Sequence, residues 1–227
     1  MTTIRHHPTD DMLVALAAGT LPAGPAAVLA CHVETCPACA GRLMDLEALG
    51  GALLEELPDA GLAPEALALT LAAIDAPAAP RVAPAAPARR ARGHRLSRPE
   101  LPAGAHWPRA LDGCSATPWR WIGPGMRWSR LHLPQDPAAN VFLLRIGAGK
   151  FLPPHTHSEL ELTQVLWGSF HDGRALFGPG DFDAADGDIH HQPVVQAGSE
   201  CICLASVDGR VVFDSFLART LGSLVGM

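Results

Sequence analysis

Apolar residues recur at helical spacing through the first third of the chain. Thr9 or Asp10 can cap a first helix that carries Met12, Leu13, Leu16 and Ala17 on one face and stops at Gly19. Gly24-Pro25 opens a second short helix through Ala26, Val28, Leu29 and His32. A third is expected from about Pro37 to Leu57, with Leu43, Leu46, Leu49, Leu53 and Leu54 in helical register. A fourth starts near Pro64 and ends near Asp75, with Leu67, Leu71 and Ile74 on one stripe. Four helices with a small core are the expectation. From Leu101 the period changes. Short runs at Trp119–Ile122, Arg127–Leu133, Asn140–Ile146, Leu162–Phe170 and Cys201–Ser206 alternate with Gly, Pro and Asp turns, as in a closed jelly-roll barrel. Phe213, Phe216, Leu217, Leu221 and Leu224 then predict a closing amphipathic helix over 213–224.

Between the two patterns, residues 76–99 are dominated by Ala, Pro and Arg and keep no apolar period, which marks an extended linker. The chain therefore divides into a helical domain over 1–76, a linker over 77–100 and a β-barrel domain over 101–227. Its 227 residues suffice for two small domains, and no apolar run approaches the ~18 residues that cross a bilayer. No basic head and apolar core open the chain, so a cytoplasmic protein with no membrane association is expected.

Charge sharpens this division. Residues 1–75 hold two arginines against ten acids, a net −8, whereas residues 76–99 hold six arginines and no acid. An acidic first domain argues against direct binding to nucleic acid and suits a basic protein partner.

The densest chemistry lies at His32-Val-Glu-Thr-Cys36-Pro-Ala-Cys39, where one helix ends and the next begins. Cys36 and Cys39 stand one turn apart, Pro37 suits a first helical turn, and a helix N-terminus favours thiolates. With His32 they supply three of the four ligands of a tetrahedral Zn²⁺, and His6 or His7 offers the fourth. Such an ion would tie together helices too small to bury much surface. A surface CxxC with incidental histidines is the plainer alternative. Cys31, beside His32, reads as a small apolar packing residue.

A second cluster lies in the β region: His155-Thr-His157-Ser-Glu-Leu-Glu161, with His190-His191 about thirty residues on. His155, His157 and Glu161 share parity and on extended backbone would point to one face. Two imidazoles, a carboxylate and one further imidazole make a plausible mononuclear metal site. Only one of His190 and His191 can face inward from a regular strand.

The stretch Gly149-x5-His155-x-His157-x3-Glu161-x6-Gly168 resembles the first cupin motif, and Gly180-Asp181 with His190 or His191 resembles the looser second one. The two halves together resemble the ChrR-like anti-sigma factors. That family's His-x3-Cys-x2-Cys signature with an upstream histidine matches His32, Cys36 and Cys39, its spacing favouring His7. The opening Arg5-His6-His7, Asp10, Ala17-Ala18-Gly19 and the later Cys201-Ile-Cys203-Leu-Ala are also similar. The resemblance implies a multidomain α-then-β chain, a zinc-bound anti-sigma domain followed by a cupin domain. The helical Zn²⁺ would sit on His7, His32, Cys36 and Cys39, and a second Zn²⁺ on His155, His157, Glu161 and His191.

It further implies a non-enzymatic negative regulator. The helical domain would sequester an ECF-type (group IV) sigma factor in a 1:1 complex and block its access to core RNA polymerase. The fourth helix would dock on the partner or else bury its stripe within the domain, and the cupin half would serve the response to singlet oxygen or oxidative stress. Cys201 and Cys203 share a strand face, as barrel core or as an oxidisable pair. A metal-dependent cupin dioxygenase or isomerase is the enzymatic alternative, and a thiol-based redox chaperone would require a reactive CxxC rather than a metal-locked one.

Overall fold

The structure, a computed structural model, describes residues 3–76 and 97–214. It divides into two compact units, Met1–Gly50 with Leu96–Met227, and Gly51–Arg95. Four helices come first: α1 (Asp10–Ala17), α2 (Ala23–Thr35), α3 (Pro37–Glu55) and α4 (Ala66–Asp75). Thr9 occupies the N-cap of α1 without a side-chain capping bond, and Gly19, at a φ of 66°, ends the turn that follows.

Among the described residues, twelve strands follow a 3-10 turn at Arg109–Leu111. They are β1 (Ser115–Ala116), β2 (Arg120–Gly123), β3 (Met126–Leu133), β4 (Asp136–Ile146), β5 (His155–His157) and β6 (Glu161–Trp167). The rest are β7 (Phe170–His171), β8 (Leu176–Phe177), β9 (Phe182–Ala185), β10 (Val194–Val195), β11 (Cys201–Val207) and β12 (Val211–Phe213). The main sheet runs β1-β3-β4-β11-β6-β9 with β2 on β3, while β10-β7-β8 and β12-β5 form smaller antiparallel sheets. This is the expected cupin-like β architecture.

Alternation along β4 explains its unbroken apolar run. Val141 and Leu143 face a core shared with α2, and Phe142, Leu144 and Ile146 face the inside of the barrel. Val28 and Leu29 of α2 are fully buried in the first core, worth about 1.5–3 kcal/mol each relative to exposure. Gly24 lets this helix seat so closely, because a Cβ there would collide with Ser206 Oγ and Val141. Cys31 packs in the same core as a small apolar residue, its thiol pKa raised far above the ordinary value by burial.

Three expectations change. Among the described residues the core that the helices form with one another is confined to one small cluster. Leu13 packs with Cys36 and Cys39, Leu46 joins partly, and α2 spends its apolar face on β4, β6 and β11. On α3, Leu49, Leu53 and Leu54 remain exposed, as do Leu67, Leu71 and Ile74 on α4. At the far end, Phe213 belongs to strand β12 rather than opening a helix, because it pairs with His155. The remainder of the expected closing helix lies outside the described residues. Finally, the end of the expected linker packs on the β region: Ala116 N–H donates to Ser97 O at 2.7 Å, and the Arg98 guanidinium stacks on Trp107. No helix among the described residues is long and apolar enough to cross a membrane.

Candidate metal centres

His7, His32, Cys36 and Cys39 converge, each offering one ligand atom within 4.8 Å of the others. The break between α2 and α3 is what aims the thiols. Cys36 leaves the helix at a φ of −108° and ψ of 102°, and Pro37 begins the next one. His7 Nδ1 lies 3.4 Å from both Cys36 Sγ and Cys39 Sγ. His32 is completely buried, and its Nδ1 donates to Gln164 Oε1 at 3.0 Å. Its Nε2 is buried and has no hydrogen-bond partner among the described residues. His6 turns away and packs its ring on Phe177 at 4.5 Å. Of the two candidates, His7 is the one brought to the cysteines.

Burial pushes the Cys39 thiol up to about 12, with the neighbouring Cys36 adding to the effect. Burial also lowers the His32 pKa, against the opposing hydrogen bond to Gln164. Two converging sulfurs, one on a thiol that resists ionisation, and a buried imidazole with an orphaned nitrogen fit a divalent cation, whose charge stabilises thiolates.

The second convergence holds His155, His157, Glu161 and His191, again with ligand atoms within 4.8 Å. His191 Nε2 stands 3.0 Å from His155 Nε2 and 3.2 Å from His157 Nε2. Glu161 Oε2 is 3.0 Å from His157 Nε2 and 3.9 Å from His191 Nε2. These separations approach the roughly 3.3 Å edge of a tetrahedron built on metal–nitrogen bonds of about 2.0–2.1 Å. The His155 Nδ1–H donates to Pro153 O at 2.8 Å, which turns the Nε2 lone pair into the cluster. Three imidazole nitrogens and a carboxylate oxygen converging at such distances form a donor set that fits a divalent cation.

Shared parity is not what assembles this site. Ser158–Leu160 separate β5 from β6, so Glu161 opens a different strand from the two histidines. His191 arrives by a two-way backbone bridge, His155 N–H to His191 O and His191 N–H to His155 O. His190 points outward and meets Asp214 at 2.9 Å. Gly168, closing the motif at a φ of 69°, lies where a Cβ would collide with Glu200 O.

Burial lowers the His155 pKa, and burial with the neighbouring His155 lowers that of His191 to about 4. Burial alone would raise the Glu161 carboxyl, but the hydrogen bond and charge of His157, with His155 and His191, hold it below its ordinary value. Beside the cluster is a mainly apolar cavity of about 40 Å³ lined by Leu144, Leu152, Phe170, Cys201 and Cys203 among others. It has room for a water molecule or a very small ligand. Cys201 Sγ and Cys203 Sγ are 3.7 Å apart on its wall, and the Cys203 thiol pKa is raised by the Cys201 hydrogen bond and by burial.

Further residues support both clusters. Gln164 holds His32, and Asp181 Oδ1 accepts the Arg5 and His6 N–H groups at 2.6 and 3.0 Å. Asp172 Oδ2 lies 3.6 Å from His191 Nδ1, with Arg174 donating to Asp172 and Asp183 at 2.6 Å each. A signal existed for Gln164, a polar residue between Leu162 and Leu166 on one face of a buried strand.

Residues 109–208 match the family described as the ChrR cupin-like domain. Over 217 residues the chain is 39% identical to the anti-sigma-E factor ChrR of Cereibacter sphaeroides, covering 96% of both proteins. It also aligns with the crystal structure of Rhodobacter sphaeroides SigE in complex with the anti-sigma ChrR, at 35% identity and a TM-score of 0.68, covering 91% of this chain and 100% of that one. With similarity of this extent running through both the helical and the β regions, the chain belongs to the ChrR-like anti-sigma factors, a family of regulators rather than enzymes.

Proposed function

We propose that this protein is an anti-sigma factor that sequesters an ECF sigma factor in a 1:1 complex in the cytoplasm and keeps it from core RNA polymerase. The observation that carries this reading is the 39% identity, over 96% of both chains, to a protein named for that activity. The exposed apolar side chains supply a physical reason. Leu54 is 68% exposed, Leu67 71% and Ile74 73% among the described residues of helices α3 and α4.

His7, His32, Cys36 and Cys39 are the ligands of a structural Zn²⁺. Two thiolates and two imidazoles form a closed tetrahedral set with no position left for substrate. Such an ion cross-links the chain before α1, the end of α2 and the start of α3. His155, His157, Glu161 and His191 hold a second metal ion, taken as Zn²⁺, and this barrel half serves the response to singlet oxygen or oxidative stress. Zinc itself has no redox chemistry, so the barrel side chains are where an oxidant acts.

The test is transcription in vitro with RNA polymerase and the cognate ECF sigma factor, with the full-length metal-loaded protein added. Loss of transcripts, reversed when Cys36→Ser replaces the wild-type protein, supports the reading. Undiminished transcription with wild-type protein refutes it.

A further inference from the structure

The four ligands of the helical cluster come from the first 39 residues, yet two of them are held in place by the barrel. We propose that Gln164, on strand β6, is the positioning residue of this metal site. It fixes His32 as the Nδ1–H tautomer, so that Nε2 faces the two cysteines. This deepens the metal-site reading above and rests on it.

The argument begins with β6. Alternation along a strand sends neighbouring side chains to opposite faces. Glu161 and Val165 turn into the barrel, while Leu162 and Gln164 turn out against α2. Gln164 is 1% exposed, and it meets His32 in a layer that is otherwise Val28, Leu29, Leu162 and Phe182. A carboxamide buried in such a layer costs free energy unless it is hydrogen-bonded. Its Oε1 accepts from His32 Nδ1 at 3.0 Å, while its Nε2 reaches only the adjacent Val165 O at 3.3 Å. The bond to His32 is therefore its main satisfied contact. The edge of Phe182 closes the other side of the imidazole, with ring centres 5.7 Å apart. His32 is thus held in position and in tautomer, which leaves the orphaned Nε2 as the free donor atom.

The second arm is tethered to the barrel as well. The Arg5 and His6 N–H groups share Asp181 Oδ1, Phe182 N–H donates to His6 O at 3.1 Å, and Gly178 N–H holds the other Asp181 oxygen at 2.8 Å. His7 follows directly on this clamped segment, and its Nδ1 meets the sulfurs. The structure therefore implies ligation of one ion by Nε2 of His32 and by Nδ1 of His7.

Full-length protein loaded with Co²⁺ tests this by chelator competition, read on the thiolate-to-cobalt charge-transfer absorbance and without any sigma factor. Absence of the band in Cys36→Ser assigns it to this site; its persistence there would refute the metal assignment rather than the role of Gln164. Gln164→Leu, which removes the acceptor at similar size, is expected to weaken Co²⁺ binding about 10–100-fold. Gln164→Glu keeps an acceptor for Nδ1–H and should stay within about threefold of wild type. Unchanged affinity in Gln164→Leu, or an equal loss in both variants, overturns the proposal. Should Gln164→Leu fail to fold, ¹⁵N-histidine NMR of the wild-type Zn²⁺ protein decides the matter. A protonated Nδ1 and a metal-shifted Nε2 on His32 support the proposal, and the reverse pattern overturns it.

Discussion

The two clusters offer four donors each, two nitrogens and two sulfurs against three nitrogens and one oxygen, in opposite surroundings. The His/Cys cluster lies where three helical segments meet and has little apolar cover of its own beyond Leu13 and partly buried Ile4, Val33 and Leu46. The His/Glu cluster sits inside a barrel that antiparallel strands build on their own account, beside a cavity. In the first the barrel aims His32 and the segment before His7, and the ion has to tie the two thiols to them; in the second the strands alone bring all four ligands together. Loss of metal should therefore unfold one region and merely empty the other.

The largest effect should follow loss of a cysteine. Cys36→Ser or Cys39→Ser is expected to abolish the thiolate–cobalt band, reduce helical circular dichroism and eliminate capture of the sigma factor, while the barrel still binds one equivalent of metal. If metal content by mass spectrometry fell to zero in these variants, the two sites would not be separable as described.

Next come the barrel ligands. His155→Ala and Glu161→Ala should remove one equivalent of metal, leave the thiolate–cobalt band in place, and spare sigma binding while impairing induction. Loss of sigma binding in both would break the division of labour between the two regions.

A third effect concerns pH in the metal-free chain. His32, His155 and His191 have folded pKa values below the ordinary 6.5, that of His191 at about 4. At these histidines the unfolded chain binds more protons than the folded one between those values, so their contribution to stability falls as pH falls, opposed in part by the Asp183 carboxyl, which burial raises to about 6. The denaturation midpoint in chelator should hold above about pH 6.5 and decline towards pH 4. A flat profile across that window would contradict burial of these imidazoles in the neutral form.

The smallest effects separate neighbours. His190, exposed and paired with Asp214, should tolerate Ala with full barrel metal content, whereas His191→Ala should not. Equal losses would mean that His190 also ligates.

Much of this was legible in the residue order. Helix limits followed from Gly19, Pro37 and the leucine periodicity, and strand limits from short apolar runs between turn residues, because these signals act over a few residues. Both donor sets were legible too, since ligand types cluster at short spacing. Neighbouring candidates were harder. His6 against His7, and His190 against His191, differ by one position, and the side taken depends on a partner segment: Phe177 for His6, Asp214 for His190, and the bridge to His155 for His191.

The apolar stripes of α3 and α4 identified helices but not their burial, because a stripe has the same period whether it faces a core or a partner protein. The seating of α2 on the barrel, with Gly24 against Ser206 and Gln164 against His32, joins residues more than 130 positions apart. Local preferences along a chain determine its elements and the chemistry they carry. Only the packing of one element on another settles which nitrogen of His32 faces the cysteines, because that depends on an acceptor brought from a distant strand.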